Sequence, residues 1–233
     1  MISRHLSPLT IKNYNRIADK IEKYLPISSN PSILDWGGND GVLSSILIER
    51  GYKNITLYDV GKKKELDIAQ FANLKDVKFI CSTEPAQLPF EEASFDVVIS
   101  SGVLEHVPFV NKSLEEIYRI LKMKSHFFVF HFPQKTSYTE FIASLNRKFG
   151  HTRKYSMREL KLRLIDNGFD IQQSWKYNLL PKTLYGFPNQ LLVFYSKFSN
   201  QVHFIDRFLS RIPILNLLCN SIECHSIKVP YQQ

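Results

Sequence analysis

The chain has 233 residues, 44% of them hydrophobic, which supports one domain (1–233) with a full core. No run approaches the roughly 18 apolar residues of a membrane span, and Met-Ile-Ser-Arg-His-Leu-Ser at the N-terminus lacks a secretory apolar core, so a cytoplasmic location is expected. The net charge of +8 favours anionic partners, and three cysteines without metal-ligand spacing predict reduced thiols rather than disulfides or a metal centre.

In chain order, residues 10–25 carry Ile11, Tyr14, Ile17, Ala18, Ile21 and Leu25 at three- and four-residue steps, which predicts an amphipathic helix. Pro26 and Pro31 bracket the approach to a strand at Ile33-Leu34. The strand ends in Asp35, and the loop Trp36-Gly-Gly-Asn-Asp-Gly41 precedes a helix whose apolar positions 42, 43, 46 and 47 keep helical spacing. Strand, glycine loop and helix form the geometry in which a backbone approaches a ligand at a helix N-terminus. Gly37 and Gly41 suit it, because a Cβ there blocks the approach or the required φ. A dinucleotide fingerprint needs glycines at relative positions 1, 3 and 6. Asn39 and Val42 stand at the last two, which disfavours a nicotinamide or flavin site.

A second strand, 54–59, ends in Asp59, about 20 residues past the glycines and placed for a ribose diol. The carboxylate of Asp35 can meet a ligand ammonium, so the ligand has a ribose and an amine but no pyrophosphate. Lys62–Lys64 are a basic run and Val77–Cys81 a third strand. Phe95–Ser101 is a near-continuous apolar strand, as in a parallel sheet covered on both faces. Gly102-Val-Leu-Glu-His-Val follows at its C-terminal end, where open α/β sheets put their ligands. A helix over 113–122 and a strand over 126–132 come next. Ser156 and Glu159 form a capping box and Gly168 a stop, predicting a helix over 157–166 and then a strand over 169–177. The basic stretch 147–163, with Arg153 and Lys154, reads either as a solvated face or as an anion clamp. Residues 184–218 keep Leu191, Phe194, Phe198, Val202, Ile205, Phe208 and Ile212 in helical register, and a last strand spans Ser221–Val229.

Several of these segments together resemble the class I S-adenosylmethionine-dependent methyltransferases. The first motif of that family matches Ile33-Leu34-Asp35-Trp36-Gly37-Gly38-Asn39-Asp40-Gly41, with Asn39 in place of the middle glycine. Asn adopts left-handed φ more readily than most residues, so Asn39 is expected at positive φ. Leu88-Pro89-Phe90, Ser94–Val98, Val103-Leu104-Glu105-His106-Val107 and Glu116–Lys122 continue the match in order. The chain departs from the family at Lys122-Met-Lys-Ser, where a Pro-Gly-Gly turn is usual, and at Pro85, which has no N–H to offer the adenine.

The resemblance implies a Rossmann-like α/β fold: a seven-stranded, mostly parallel sheet with its last strand antiparallel, flanked by helices. The expected parts are an N-terminal helix (1–30), a cofactor-binding core (31–178), a helical insertion or lid before the last strand (179–218), and that strand (219–233). It implies S-adenosylmethionine as cofactor. Asp35 would hold its methionine amine, with Gly37, Gly38, Asn39 and Gly41 near methionine and ribose and Asp59 on the ribose hydroxyls. Glu84 and Ser101 complete the expected cofactor-binding set, and Glu105 is expected to line the pocket. His106 and His151 are the candidate general bases, needed only where the acceptor is a poor nucleophile such as a sugar hydroxyl.

The His151, Arg153 and Tyr155 segment, the basic stretch 147–163 and the aromatic C-terminal insert together resemble bacterial methyltransferases that act on sugars of surface polysaccharides. The expected acceptor is therefore a sugar or glycan hydroxyl, anionic or lipid-linked, with peripheral contact at the inner membrane face. The alternatives are a tRNA or small-molecule methyltransferase and a non-catalytic partner subunit. Nucleic acid is disfavoured, because the aromatics of 184–209 follow helical spacing rather than forming a stacking platform.

Overall fold

A computed structural model describes residues 8–60, 72–75, 77–82, 87–145, 151–181 and 189–230. Seven strands form one sheet in the order β3-β2-β1-β4-β5-β7-β6: β1 (Ile33–Trp36), β2 (Ile55–Val60), β3 (Lys78–Ser82), β4 (Phe95–Ser101), β5 (Leu121–Pro133), β6 (Phe169–Tyr177) and β7 (Ser221–Lys228). The pairings from β3 to β5 are parallel, and β7 runs antiparallel to both its neighbours. This is the Rossmann-like fold that the sequence implied. Order reverses between β1 and β4, so their C-terminal ends diverge and leave a crevice above them.

The strand period of two decides the layers. Val97 and Ile99 face α1 (Pro8–Glu22) and α2 (Val42–Glu49), packing with Ile17, Ile21 and Leu47. Val98 points the other way, into a core with Leu114 and Ile117 of α3 (Val110–Ile120) and Leu160 and Leu164 of α5 (Met157–Asp166). All three β4 side chains are fully buried, which is why the segment reads as continuously apolar rather than alternating.

The capping box at α5 forms as expected: Ser156 Oγ accepts from the Glu159 N–H at 3.2 Å, and Glu159 accepts from the Ser156 N–H at 2.6 Å. Gly51 and Gly168 stop their helices at positive φ.

The junction of α3 and β5 departs furthest from expectation, while α1 and the start of α3 each lie two or three residues earlier than expected. Helix α3 ends at Ile120 and β5 begins at Leu121 with no intervening turn. The missing Pro-Gly-Gly is absorbed inside the strand. Leu121 faces Phe95 and His126 faces Val97, so the residues between them bulge, with Lys124 at φ 61°. Lys122 Nζ reaches both carboxylate oxygens of Asp96 at 2.9 Å and ties the bulge down. A helix that the periodicity did not reveal, α4 (Tyr138–Leu145), follows β5.

The insertion forms two helices, α6 (Asn189–Lys197) and α7 (Ser199–Leu209). Helix α7 packs on α1 through Val202, and Asp206 accepts from the Leu180 N–H at 2.7 Å. Helix α1 is tied to the sheet by a buried ion cluster. Arg16 gives two hydrogen bonds to Glu223 of β7, at 2.8 and 2.6 Å, and Lys20 a third at 2.7 Å. Its guanidinium also lies 3.6 Å from the centre of the Tyr177 ring. These cations hold the Glu223 carboxyl well below its usual range despite complete burial. Such a cluster contributes little net stability but makes removal of one partner costly, so it orients α1 over the crevice.

Candidate functional site

The glycine loop gets its shape from the strands beside it. The N–H groups of Gly37 and Gly38 donate to the Tyr58 carbonyl at 2.7 and 3.3 Å. Gly37, Asn39 and Gly41 all have positive φ, at 71°, 42° and 73°, so Asn39 takes the expected left-handed conformation. A Cβ on Gly37 would stand 2.4 Å from a Val103 methyl, and one on Gly41 2.6 Å from Leu74. Packing inside the protein, as well as positive φ, thus favours glycine at both positions.

Asp35 is 2% exposed and accepts from Ser44 Oγ at 2.6 Å. Asp59 accepts from the Asn39 N–H at 2.9 Å and from its neighbour Val60 at 2.7 Å. The second strand's acid therefore braces the loop in addition to whatever ligand it meets.

A cavity of about 440 Å³ opens above the β1 and β4 ends. Its walls include Asp35, Gly37, Gly38 and Asn39 of the glycine loop, Ser101, Glu105 and His106 from the end of β4 and the turn after it, Tyr14 of α1, and Glu140 and His151. A smaller recess of about 100 Å³ shares Gly37 and His106 with it and carries Asp59, Tyr58 and Val103.

Of the expected residues, Asp35, Gly37, Gly38, Asn39, Ser101, His106 and His151 meet in the large cavity, and Asp59 lies in the adjoining recess. Gly41 is not on either wall. It is the N-cap of α2, one turn behind the loop, where its positive φ starts the helix. Glu84 and Pro85 lie outside the described residues, as does the basic run 62–64.

Among the wall residues that had not been anticipated are Tyr14, His131 and Glu140. Tyr14 looked like one more apolar position of α1; in the cavity, burial and the nearby Asp35 carboxylate push its hydroxyl up to about 12. His131, at φ 60°, is held between Ser101 Oγ (3.1 Å from Nδ1) and the Asn13 amide (3.0 Å from Nε2). The Asn13 carbonyl accepts from Arg16, so polar contacts run from Glu223 through Arg16, Asn13 and His131 to Ser101.

Glu140 is the third. Its Oε1 lies 2.7 Å from His151 Nδ1, and its Oε2 accepts from the His151 backbone N–H at 3.1 Å. That hydrogen bond raises the His151 pKa against the opposing effect of burial. Beside it, with ring centres 5.4 Å apart, His106 is lowered by burial, by His151 and by Arg153. One imidazole is poised high and its neighbour low.

Arg153 spends most of its donors on the backbone rather than standing free as an anion clamp. Its guanidinium donates to the carbonyls of Glu105 (3.2 Å), Val107 and Pro108 (3.4 Å), fixing the turn that carries His106. On the far side of that turn, Lys112, Arg153 and Arg163 line a shallow recess of about 300 Å³ with Phe109 and Tyr155.

The large cavity has four carboxylates (Asp35, Asp40, Glu105, Glu140) and, among the described residues, no lysine or arginine on its walls. That donor set suits a ligand with cationic centres. S-adenosylmethionine, with a sulfonium, an ammonium and a ribose diol, fits the charge pattern and the two connected volumes.

The Methyltransferase domain family matches residues 9–174. The ubiquinone/menaquinone biosynthesis C-methyltransferase UbiE of Rickettsia felis is 32% identical over 133 residues, 52% of each chain. The sterol 4-C-methyltransferase strm-1 of Caenorhabditis elegans is 29% identical over 116 residues, 49% of this chain and 34% of that one. The chain thus spans about half the length or less of these curated relatives. A Haloferax volcanii structure of the Trm112 methyltransferase activator in complex with its partner protein aligns over 96% of this chain and 94% of that one (TM-score 0.63, 17% identity). An S-adenosylmethionine-dependent methyltransferase from Mesorhizobium loti aligns over 90% and 96% (TM-score 0.59, 15% identity). At these identities the structural likeness speaks for the fold alone; the family match over 9–174 carries the assignment. The chain belongs to the class I S-adenosylmethionine-dependent methyltransferases, with S-adenosylmethionine as methyl donor.

Proposed function

We propose that this enzyme methylates an acceptor that must lose a proton, with a sugar or glycan hydroxyl as the first candidate. The observation that carries the reading is the 2.7 Å contact between His151 Nδ1 and Glu140 at the cavity wall. A hydroxyl is a poor nucleophile at neutral pH, whereas a thiolate or free amine needs no such help. With Nδ1 held by the carboxylate, Nε2 is the atom left to accept the acceptor proton, and Glu140 stabilises the imidazolium that results.

In this reading Asp35 receives the ammonium of S-adenosylmethionine, Gly37, Gly38 and Asn39 pass beside its methionine and ribose, and Asp59 meets the ribose diol. Ser101 and Tyr14 present hydroxyls to the same cavity. When bound, the cofactor supplies an electrophilic methyl on a good leaving group, so the protein's part is mainly alignment and proton removal. We take the chain's described parts to act as one domain, with the insertion as a wall over α1.

The acidic cavity disfavours an anionic group inside it. A phosphate or lipid-linked tail would instead lie outside, towards the recess of Lys112 and Arg163. We propose that α6 and α7 meet an anionic lipid surface. Val193, Phe194, Phe204 and Phe208 are more than half exposed, with Lys197, Arg207 and Arg211 exposed among them. No described helix is long and apolar enough to cross a membrane, so such contact would be peripheral.

A second reading, C-methylation of a phenolic ring, is favoured by the ubiquinone/menaquinone biosynthesis C-methyltransferases among the relatives. It uses the same base, since a phenol must be deprotonated before its ring carbon attacks. Incubation with S-adenosylmethionine and a panel of nucleotide sugars, lipid-linked glycans and phenolic quinone precursors tests both, with the methylated atom located by mass spectrometry. Methylation of an amine or thiol alone would overturn the reading.

A further inference from the structure

We propose that Glu105, His106 and His151 form a site for one divalent first-row transition cation, with Zn²⁺ as the reference ion. The inference rests on the proposed function, because the ion would sit at the cavity wall where the acceptor loses its proton. One ligand atom from each residue lies within 4.8 Å of the other two. Glu105 and His106 come from the turn after β4, and His151 from the segment before α5, so the fold brings the set together across 45 residues of sequence.

Three features separate this trio from a chance cluster. The first is Glu140, whose contact with His151 Nδ1 leaves Nε2 as the ligand atom; metal-binding histidines are typically held this way by an outer carboxylate. The second is composition. Two imidazoles with one carboxylate are the set that takes zinc or iron(II), whereas magnesium and calcium prefer oxygen ligands throughout. The third is the number of ligands. Three protein donors leave a coordination position open toward the cavity, the pattern of catalytic rather than structural sites.

The geometry needs a small closure. Donors bound at about 2.0–2.1 Å to a tetrahedral ion stand roughly 3.4 Å apart, so the trio must contract by about an ångström. His106 can supply that movement: its side chain is 63% exposed, while Glu105 is 3% exposed and His151 is held by Glu140. With the ion bound, an acceptor hydroxyl in the open position would give up its proton to solvent as the oxygen is held by the cation. In that state His151 is a ligand rather than the base.

The test titrates metal-stripped protein with Co²⁺, whose visible bands report coordination, then displaces it with Zn²⁺. S-adenosylmethionine binding is measured by calorimetry on the same samples. The expected result is one Co²⁺ per chain with the bands of a four- or five-coordinate ion. His106→Ala and His151→Ala should each weaken binding at least tenfold, and Glu140→Gln by roughly tenfold to a hundredfold. His126→Gln, in the hydrogen-bonded His126–His225 pair away from the cavity, should leave the bands unchanged. No bands in the wild type, or bands that persist in the His106→Ala/His151→Ala double variant, overturn the inference. Bands without S-adenosylmethionine binding would count against the proposed cofactor residues and support the ion site; the converse leaves the cofactor residues standing and removes the ion.

Discussion

The backbone N–H of Asn39 donates to Oδ2 of Asp59 across 2.9 Å, joining the glycine loop to the end of β2. Two segments twenty residues apart therefore act as one unit, and disturbing either should disturb cofactor binding. Asp59→Ala should weaken S-adenosylmethionine binding by about 1.5–3 kcal/mol, the scale of a hydrogen bond to a charged group. Calorimetry on this variant and on Asp35→Ala tests the assignment; unchanged affinity in both would refute it. Asn39→Gly should be tolerated at φ 42°, while Asn39→Val should cost about 1–3 kcal/mol of stability, since a β-branched residue resists that conformation.

The His151–Glu140 pair sets a pH dependence. If neutral His151 accepts the acceptor proton, activity should rise with pH through a midpoint above the ordinary histidine value of about 6.5. Glu140→Gln should move that midpoint down and lower kcat, and His151→Ala should lower kcat by about 10²-fold or more. The stability effect has the opposite slope. A raised histidine stabilises the fold fully below its unfolded value, and that contribution is lost as pH rises through the folded one. A kcat profile with no shift in Glu140→Gln would count against His151 as the base.

Arg153 is predicted to act on the turn rather than on an anion. Arg153→Ala removes donors to the carbonyls of Glu105, Val107 and Pro108, so it should lower Tm and turnover together. Arg153→Lys should rescue poorly, because one ammonium cannot reproduce a planar fork. Lys154→Ala should leave Tm unchanged. A loss of phosphate-bearing acceptor affinity at constant Tm in Arg153→Ala would restore the anion-clamp reading.

The exposed face of α7 separates interface from core. Phe204 and Phe208 are 72% and 63% exposed, so changing each to Ser should alter stability by less than about 0.5 kcal/mol. If the lipid-surface proposal holds, the same changes should reduce sedimentation with anionic vesicles, and added salt should weaken what remains. Equal binding to neutral vesicles, or none to either, would leave this face to a protein partner.

Acid should act through the sheet's interior. His225 is 1% exposed, with Nε2 2.9 Å from His126 Nδ1, and burial followed by His126 pushes it down to about 4. A histidine kept neutral in the fold contributes stability that is present above the unfolded value of about 6.5 and is lost as pH falls toward 4. The loss should reach at most about 3.5 kcal/mol, at about 1.4 kcal/mol per unit. Urea midpoints across that range for the wild type and His225→Phe measure it, and a flat difference would count against the assignment.

The sheet, the loop and most helix ends were legible in the sequence because they depend on local rules. Apolar period marks strands and helices, Gly51 and Gly168 stop helices at positive φ, and Ser156 with Glu159 caps one within four residues. Asn39 could be placed at positive φ for the same reason: its conformation is a property of the loop. What the tertiary structure decided were pairings between segments that no local pattern links. Glu140 meets His151 only because an unforeseen helix follows β5, and Arg153 spends its charge on carbonyls nearly fifty residues away. Glu223 in β7 draws Arg16 and Lys20 of α1 over the crevice, so Tyr14 reaches the cavity. Each such contact is chosen by burial, where an unpaired charge is too costly to leave alone, and burial is a property of the folded whole rather than of any stretch of sequence.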